Sequence, residues 1–270
     1  STKTGRVIGI KEMISDIQCM TRNNINSVRT CHYPDQIPWY YMCDEAGIYV
    51  MAETNLESHG SWQKLGAIEP SWNVPGSVLQ WREAVVDRAR NNFETFKNHT
   101  SILFWSLGNE SYAGDDIEAM NKFFKEKKDG RLVHYEGSYY TREYEDTISD
   151  VESRMYAKPE EVEKYLINSA KKPYLLCEFM HDMGNSIGGL GSYMKLIDKY
   201  EMYQGGYIWD FIDQALLVKD EVTGREVLRY GGDFDDRPSD YEFSGNGIVF
   251  ADRREKPAMQ EVRYYYGMYI

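Results

Sequence analysis

A (β/α)8 TIM barrel is the α/β fold that this sequence predicts, and three observations carry the prediction. Short apolar runs alternate with helical stretches along the chain, the pattern of βα units built around a parallel sheet. The best of these runs, Ile102 to Leu107, is apolar almost throughout, as a strand covered on both faces is. The chain has 270 residues, close to the roughly 250 of one such barrel. Residues 1–270 are therefore expected to form a single domain.

The elements follow in order. Residues 11–23 place Met13, Ile14, Ile17 and Met20 at helical spacing, and Asn23 and Asn24 close that helix before an extended run from Ile25 to Thr30. A helix over about 37–46 leads through Gly47 into the strand IYVMAE, which ends at Glu53. Residues 54–75 are rich in Asn, Ser, Gly and Pro and carry Trp62 and Trp72, so a long loop is expected there. Over 76–98 a long amphipathic helix sets Val78, Trp81, Val85, Ala89, Phe93 and Phe96 near one face and feeds the strand SILFWSL.

A helix from Asp115 to Lys127, a strand from Leu132 to Tyr135, a Tyr-rich loop over 137–149 and a short strand near Val151 to Tyr156 come next. Pro159 opens a helix to about Ser169. The strand PYLLCEF, a Gly-rich loop, a helix over 192–201 and the strand Gly206 to Phe211 complete the series. Residues 215–232 read as an inserted β-hairpin turning at Thr223 and Gly224, and PAMQEVRYYY as a final helix with Pro257 in its first turn. Strands of the βα type begin near 25, 48, 102, 132, 151, 174 and 206. A closed barrel has eight. The first strand is thus expected to precede residue 1, unless Val7 to Ile10 serves, and the chain to be a piece of a longer protein.

Composition narrows the class of ligand. With 31 basic and 43 acidic residues the net charge is −12, which disfavours nucleic acid and anionic membrane as partners. Aromatic residues make up 14% of the chain, including 22 Tyr and 6 Trp. That excess favours a neutral ligand with C–H faces to stack, such as a sugar. Cys19, Cys31, Cys43 and Cys177 form no C-x-x-C pair and are expected to be buried free thiols of a reducing compartment. No apolar run approaches the roughly 18 residues of a membrane span, so a soluble, cytoplasmic protein is expected.

Barrel enzymes assemble their sites at the C-terminal ends of the strands. Those ends carry His32, Glu53 with Glu57 and His59 beyond it, Asn109 and Glu110, Glu136, Tyr156, Glu178 with His181, and Trp209 with Asp210. A lone glutamate after a strand usually caps a helix or pairs with a cation. Two apolar strands that each end in a glutamate, Glu110 preceded by Asn109 and Glu178 followed by His181, point instead to a working pair. Paired carboxylates are what glycoside hydrolysis needs, one to protonate the leaving oxygen and one to attack or to activate water. Glu57 and His59, with Glu110, also offer ligands to a divalent cation.

The segments WSLGNES, LCEFMHDMGNS, AETNLESHG and GGYIWDFIDQ resemble the catalytic barrel of the family 2 β-galactosidases, in particular the large-subunit type of lactic acid bacteria. The likeness runs from about Gly5 to the C-terminus. It implies a retaining hydrolase of terminal β-galactosides such as lactose, with Glu110 as acid/base, Glu178 as nucleophile and a covalent galactosyl-enzyme intermediate. It further implies that His32, Asn109, Tyr156, His181 and Trp209 bind the sugar. Glu57, His59 and Glu110 match Mg²⁺ ligands; Phe243, through its carbonyl, and Asn246 match part of a Na⁺ or K⁺ site.

Two departures are informative. The motif that ends the family's first barrel strand is absent, and so are the domains that flank the barrel. The resemblance therefore implies that the remaining domains or a small subunit are partners, and that the isolated chain is inactive or binds sugar weakly. β-Glucuronidases and β-mannosidases share the Asn-Glu pair, whereas the Glu57-Ser58-His59 triplet and the segment HDMGNS resemble the galactosidases.

Overall fold

The structure is a computed structural model, and it describes residues 1–59, 73–168, 170–184 and 187–269. Trp62 and Trp72 lie outside the described residues. The element order is α1 (Ile10–Arg22), β1 (Ser27–Arg29), α2 (Ile37–Ala46), β2 (Tyr49–Glu53), α3 (Leu79–Phe96), β3 (Ile102–Ser106), α4 (Asp115–Lys127), β4 (Leu132–His134), β5 (Glu152–Met155), α5 (Pro159–Ile167), β6 (Tyr174–Phe179), α6 (Leu190–Lys199), β7 (Tyr203–Ile208), the hairpin β8 (Leu216–Lys219) and β9 (Glu226–Arg229), and α7 (Met259–Tyr266). Every strand expected from the apolar runs is present. Val7 to Ile10 forms none, because α1 already starts at Ile10.

Two compact units divide the chain. The larger comprises Ser27–Cys177 and Lys199–Gly205. Its sheet has the order β1-β2-β3-β4 with every neighbouring pair parallel. The register sets Glu53 beside Ser106, and Ser106 beside His134, so three strands deliver polar side chains at one level of the sheet edge. Beneath them Val50, Met51, Ala52, Ile102 and Trp105 are almost wholly buried, each large side chain contributing about 1.5–3 kcal/mol. Trp105 stacks on Phe124 of α4, with ring centroids 5.4 Å apart, and its indole N–H is satisfied by Asp129 at 2.8 Å.

The face of α3 divides as its spacing predicts, with Val85, Ala89, Phe93 and Phe96 buried. Trp81 departs from it and is 46% exposed, in the first turn of the helix. Cys31 is a second departure, lying exposed in the turn after β1, whereas Cys19, Cys43 and Cys177 are buried free thiols.

The smaller unit comprises Ser1–Asn26, Glu178–Asp198 and Gly206–Ile270. Within it α1 buries Met13, Cys19 and Met20, and Asn23 caps its end. Arg253 holds the buried Asp16 of α1 in a bidentate pair at 2.7 and 3.0 Å. Strand β5, which belongs to the larger unit, and β6 and β7, whose first residues belong to it too, form a sheet in the order β5-β6-β7. The bonds Tyr174 N–H to Met202 C=O, at 2.7 Å, and Trp209 N–H to Phe179 C=O, at 3.0 Å, advance together along β6 and β7, as parallel neighbours do. The hairpin β8-β9 is antiparallel and spans the expected insertion at 215–232. Among the described residues no helix is long and apolar enough to cross a membrane.

Candidate active site

The larger unit gathers its polar residues where β1 to β4 end. Arg29 is the last residue of β1 and is buried. Its guanidinium donates to Glu53 Oε2 at 2.7 Å and Oε1 at 3.0 Å, to Asn109 Oδ1 at 2.8 Å and to the Cys177 carbonyl at 3.2 Å. Only a planar fork reaches four acceptors in this way. With Asn109 Oδ1 engaged by the cation, the amide Nδ2 faces the other way and donates to Glu57 Oε1 at 3.1 Å. Burial alone pushes the Glu53 carboxyl up; the Arg29 charge and the His32 imidazole at 2.8 Å outweigh it and hold the group below the ordinary glutamate value.

A second chain of bonds starts from the same carboxylate. Ser106 donates its hydroxyl proton to Glu53 Oε2 at 2.7 Å, so its oxygen is left to accept from His134 Nδ1 at 2.9 Å. The other nitrogen of His134 then accepts from the Ser153 hydroxyl at 2.8 Å. That is a neutral imidazole with one proton. Burial, joined by the Arg29 charge, pushes its pKa down to about 3.

Glu110 follows this framework. It leaves β3 in a left-handed conformation with φ of 37°, a region costing a non-glycine residue about 1–2 kcal/mol. Its N–H is held by Glu136 Oε1 at 2.7 Å, and the next N–H, of Ser111, by the Tyr135 hydroxyl at 3.0 Å. Consecutive residues after β4 thus pin consecutive residues after β3. Burial pushes the Glu136 carboxyl up to about 8, against the Arg29 charge.

On the solvent side His59 Nδ1 lies against Glu110 Oε2, and Glu57 Oε1 is 3.7 Å from the same nitrogen. Ligand atoms of Glu57, His59 and Glu110 all fall within 4.8 Å of one another. A second group of this kind, His134, Glu136 and Cys177, is buried. Tyr156 follows β5 with φ of 52° and is 41% exposed.

In the smaller unit Glu178, the fifth residue of β6, is 5% exposed. Burial lowers the His181 pKa while the charge of Glu178 opposes the shift. The Asp182 N–H donates to the Trp209 carbonyl at 3.0 Å, tying the exits of β6 and β7. Burial also pushes Asp182 up to about 6 and Asp210 to about 7. The rings of His181 and Phe243 meet edge to face with centroids 6.0 Å apart. Asn246 is buried, its Nδ2 donates to the Phe243 carbonyl at 2.6 Å, and its Oδ1 has no hydrogen-bond partner among the described residues.

The residues expected from the sequence thus form two sets. His32, Glu57, His59, Asn109 and Glu110 are linked in the larger unit, with Tyr156 after the next strand. Glu178, His181, Trp209, Phe243 and Asn246 belong to the smaller. Arg29, Ser106 and His134 organise the first set and were not anticipated. Their signal was available: Arg29 and His134 are charged or polar residues inside otherwise strand-like runs, where only a buried partner makes them tolerable.

Comparison with known proteins agrees with this architecture. The family model described as "Glycosyl hydrolases family 2, TIM barrel domain" matches residues 1–269. The β-galactosidase large subunit of Lactobacillus helveticus is 70% identical over 267 residues, which are 99% of this chain and 42% of that protein. The β-galactosidase large subunit of Leuconostoc lactis is 70% identical over 266 residues, 98% of this chain and 42% of that one. The chain therefore spans about two fifths of the length of these curated relatives. Among solved structures, a Lactobacillus rhamnosus β-glucuronidase superposes with a TM-score of 0.70 over 97% of this chain and 47% of its own, at 19% identity. At that identity the likeness speaks to the fold alone. A match along nearly the whole chain, on a scaffold that carries its polar residues at the strand ends, settles the classification: this chain belongs to the family 2 glycosyl hydrolases and matches their TIM-barrel domain.

Proposed function

We propose that the chain is the catalytic barrel of a cytoplasmic, retaining β-galactosidase acting on terminal β-D-galactosides such as lactose. The observation that carries this reading is the 70% identity to β-galactosidase large subunits over 99% of the chain, with the pinned Glu110 and the buried Glu178 both at strand ends. In the first step the Glu178 carboxylate attacks the anomeric carbon while Glu110 protonates the departing glycosidic oxygen, leaving galactose esterified to Glu178. In the second, Glu110 takes a proton from water, and the resulting hydroxide equivalent displaces Glu178. Asn109, its amide turned by Arg29, is the proposed N–H donor to the sugar 2-hydroxyl, and His32, Tyr156, His181 and Trp209 are the further residues proposed to bind galactose.

Two cations fit the residues present. Glu57, His59 and Glu110 would hold Mg²⁺, with the partial exposure of Glu57 and His59 leaving room for water ligands. The buried, unpartnered Asn246 Oδ1 and the neighbouring Phe243 carbonyl would serve Na⁺ or K⁺. Bound by Glu57, His59 and Glu110, a divalent ion would supply a fixed positive charge beside the acid/base carboxyl. Further domains or a small subunit are proposed partners, because the relatives of similar sequence are large subunits of which this chain covers 42%.

The test is covalent labelling of the full gene product with a 2-deoxy-2-fluoro-β-galactosyl fluoride. The label is expected on the peptide that contains Glu178 and is expected to vanish in Glu178→Gln. Undiminished labelling of the variant would overturn the assignment, and preference for a nitrophenyl glucuronide over the galactoside would move the chain to a glucuronidase.

A further inference from the structure

The smaller unit contains a buried ion pair that the proposed mechanism does not use. Asp213 lies just beyond β7 and is 5% exposed; Lys256, ahead of α7, is 8% exposed. Lys256 Nζ donates to Asp213 Oδ1 at 2.9 Å. The same oxygen accepts the Gly247 N–H at 2.8 Å, and Asp213 Oδ2 accepts the Tyr230 hydroxyl at 3.1 Å.

These bonds converge on the segment that carries the cation ligands. Its backbone runs against the exit of β7: Asp210 N–H reaches the Asn246 carbonyl, Ile248 N–H the Asp210 carbonyl, and Asp213 N–H the Val249 carbonyl, at 3.0, 3.0 and 3.1 Å. Lys256 donates its own N–H to the Ile248 carbonyl at 3.1 Å. The approach is so close at Gly247 that a Cβ there would stand 2.2 Å from Asp213 N and 2.5 Å from the Val249 carbonyl oxygen. Nothing but glycine fits. Asn246, one residue earlier, is thereby fixed in depth as well as in direction.

A buried carboxylate needs its counter-charge, since removing one partner leaves the other uncompensated in a poor solvent. Lys256 is the cation that opposes the raising of both Asp182 and Asp210 by burial. We propose that Lys256 and Asp213 are a positioning pair, clamping the Phe243–Gly247 segment onto the strand end that carries Trp209 and so fixing the galactose-binding side of the site. The pair touches no substrate; it acts through Asn246, the Phe243 carbonyl and Trp209. The inference rests on the galactosidase reading.

The test uses the full gene product, with any partner subunit, in the variants Lys256→Met, Lys256→Gln and Lys256→Arg. Galactose affinity is measured by calorimetry at low and high Na⁺, beside KM and kcat on nitrophenyl galactoside. Lys256→Met is expected to weaken galactose binding and raise KM about tenfold, with kcat changed less than threefold. The Na⁺ dependence of galactose affinity is expected to shift to higher concentration, and Lys256→Arg to recover most of the loss. Galactose affinity within twofold of the parent, or a fall confined to kcat, would overturn the proposal. Should Lys256→Met fail to fold, Lys256→Gln, which keeps an N–H donor without the charge, decides by the same criteria. An inactive parent protein would instead count against the galactosidase reading.

Discussion

His134 is held neutral first by its depth, with the Arg29 charge acting in the same direction. Ser106 has spent its proton on Glu53, so the imidazole donates at Nδ1 and accepts at Nε2 from the Ser153 hydroxyl, and a second proton would turn that hydroxyl round and leave a charge in a fully buried site. The folded pKa near 3 lies below the ordinary value of 6.5. Between those values the unfolded chain binds the proton and the native state does not, so native stability is complete above about pH 6.5 and falls as pH falls towards 3. One proton of difference corresponds to about 1.4 kcal/mol per pH unit. Urea unfolding at pH 7, 6 and 5 is expected to show this extra slope in the parent and its loss in His134→Gln, which keeps a donor and an acceptor without titrating; equal slopes would refute it. Such residues show in the sequence as polar side chains inside strand-like runs, but their partners do not. Glu110 and Glu178 stand at the ends of recognisable strands, whereas the parts of Arg29, Ser106 and Lys256 depend on partners 24 to 148 positions away, which no local pattern encodes.

Strand β3 shows how an element aims a side chain. Its apolar residues identify it in the sequence, and its parallel pairing with β2 and β4 fixes where it ends. The exit is shaped by Gly108, which has φ of 152° and packs so tightly that a Cβ would lie 2.6 Å from the Leu56 carbonyl oxygen. That carbonyl also accepts the Asn109 N–H at 2.9 Å. Gly108→Ala must therefore push the strand exit away from the loop that carries Glu57, at a cost of about 2 kcal/mol or more. A lowered urea midpoint together with at least a tenfold loss in kcat/KM is expected, because Asn109 and Glu110 move with the exit; an unchanged midpoint would contradict the account. The elements themselves were legible because strands and helices are fixed by local periodicity. Trp81 and Cys31 were not: the first sits in the opening turn of α3 and the second in the turn after β1, where local periodicity does not set burial.

At the scale of the whole molecule the acidic balance and the aromatic excess favour a neutral, sugar-like ligand before any single residue does. The chain carries a net charge of −12, suited to a neutral sugar and ill suited to a polyanion. Its matched relatives are more than twice its length, so the chemistry is best read from the full gene product. On the proposed reading two inversions at the anomeric carbon follow one another, the first made by Glu178 and the second by water that Glu110 activates, and two inversions return the original configuration. A single direct displacement by water would invert it. Proton NMR of nitrophenyl β-galactoside hydrolysis, recorded faster than mutarotation, is therefore expected to show β-galactose as the first product, with the α-anomer growing in later. If α-galactose appeared first, one carboxylate would be a base rather than a nucleophile, and the role of Glu178 would have to be reassigned even though the barrel and its family stand.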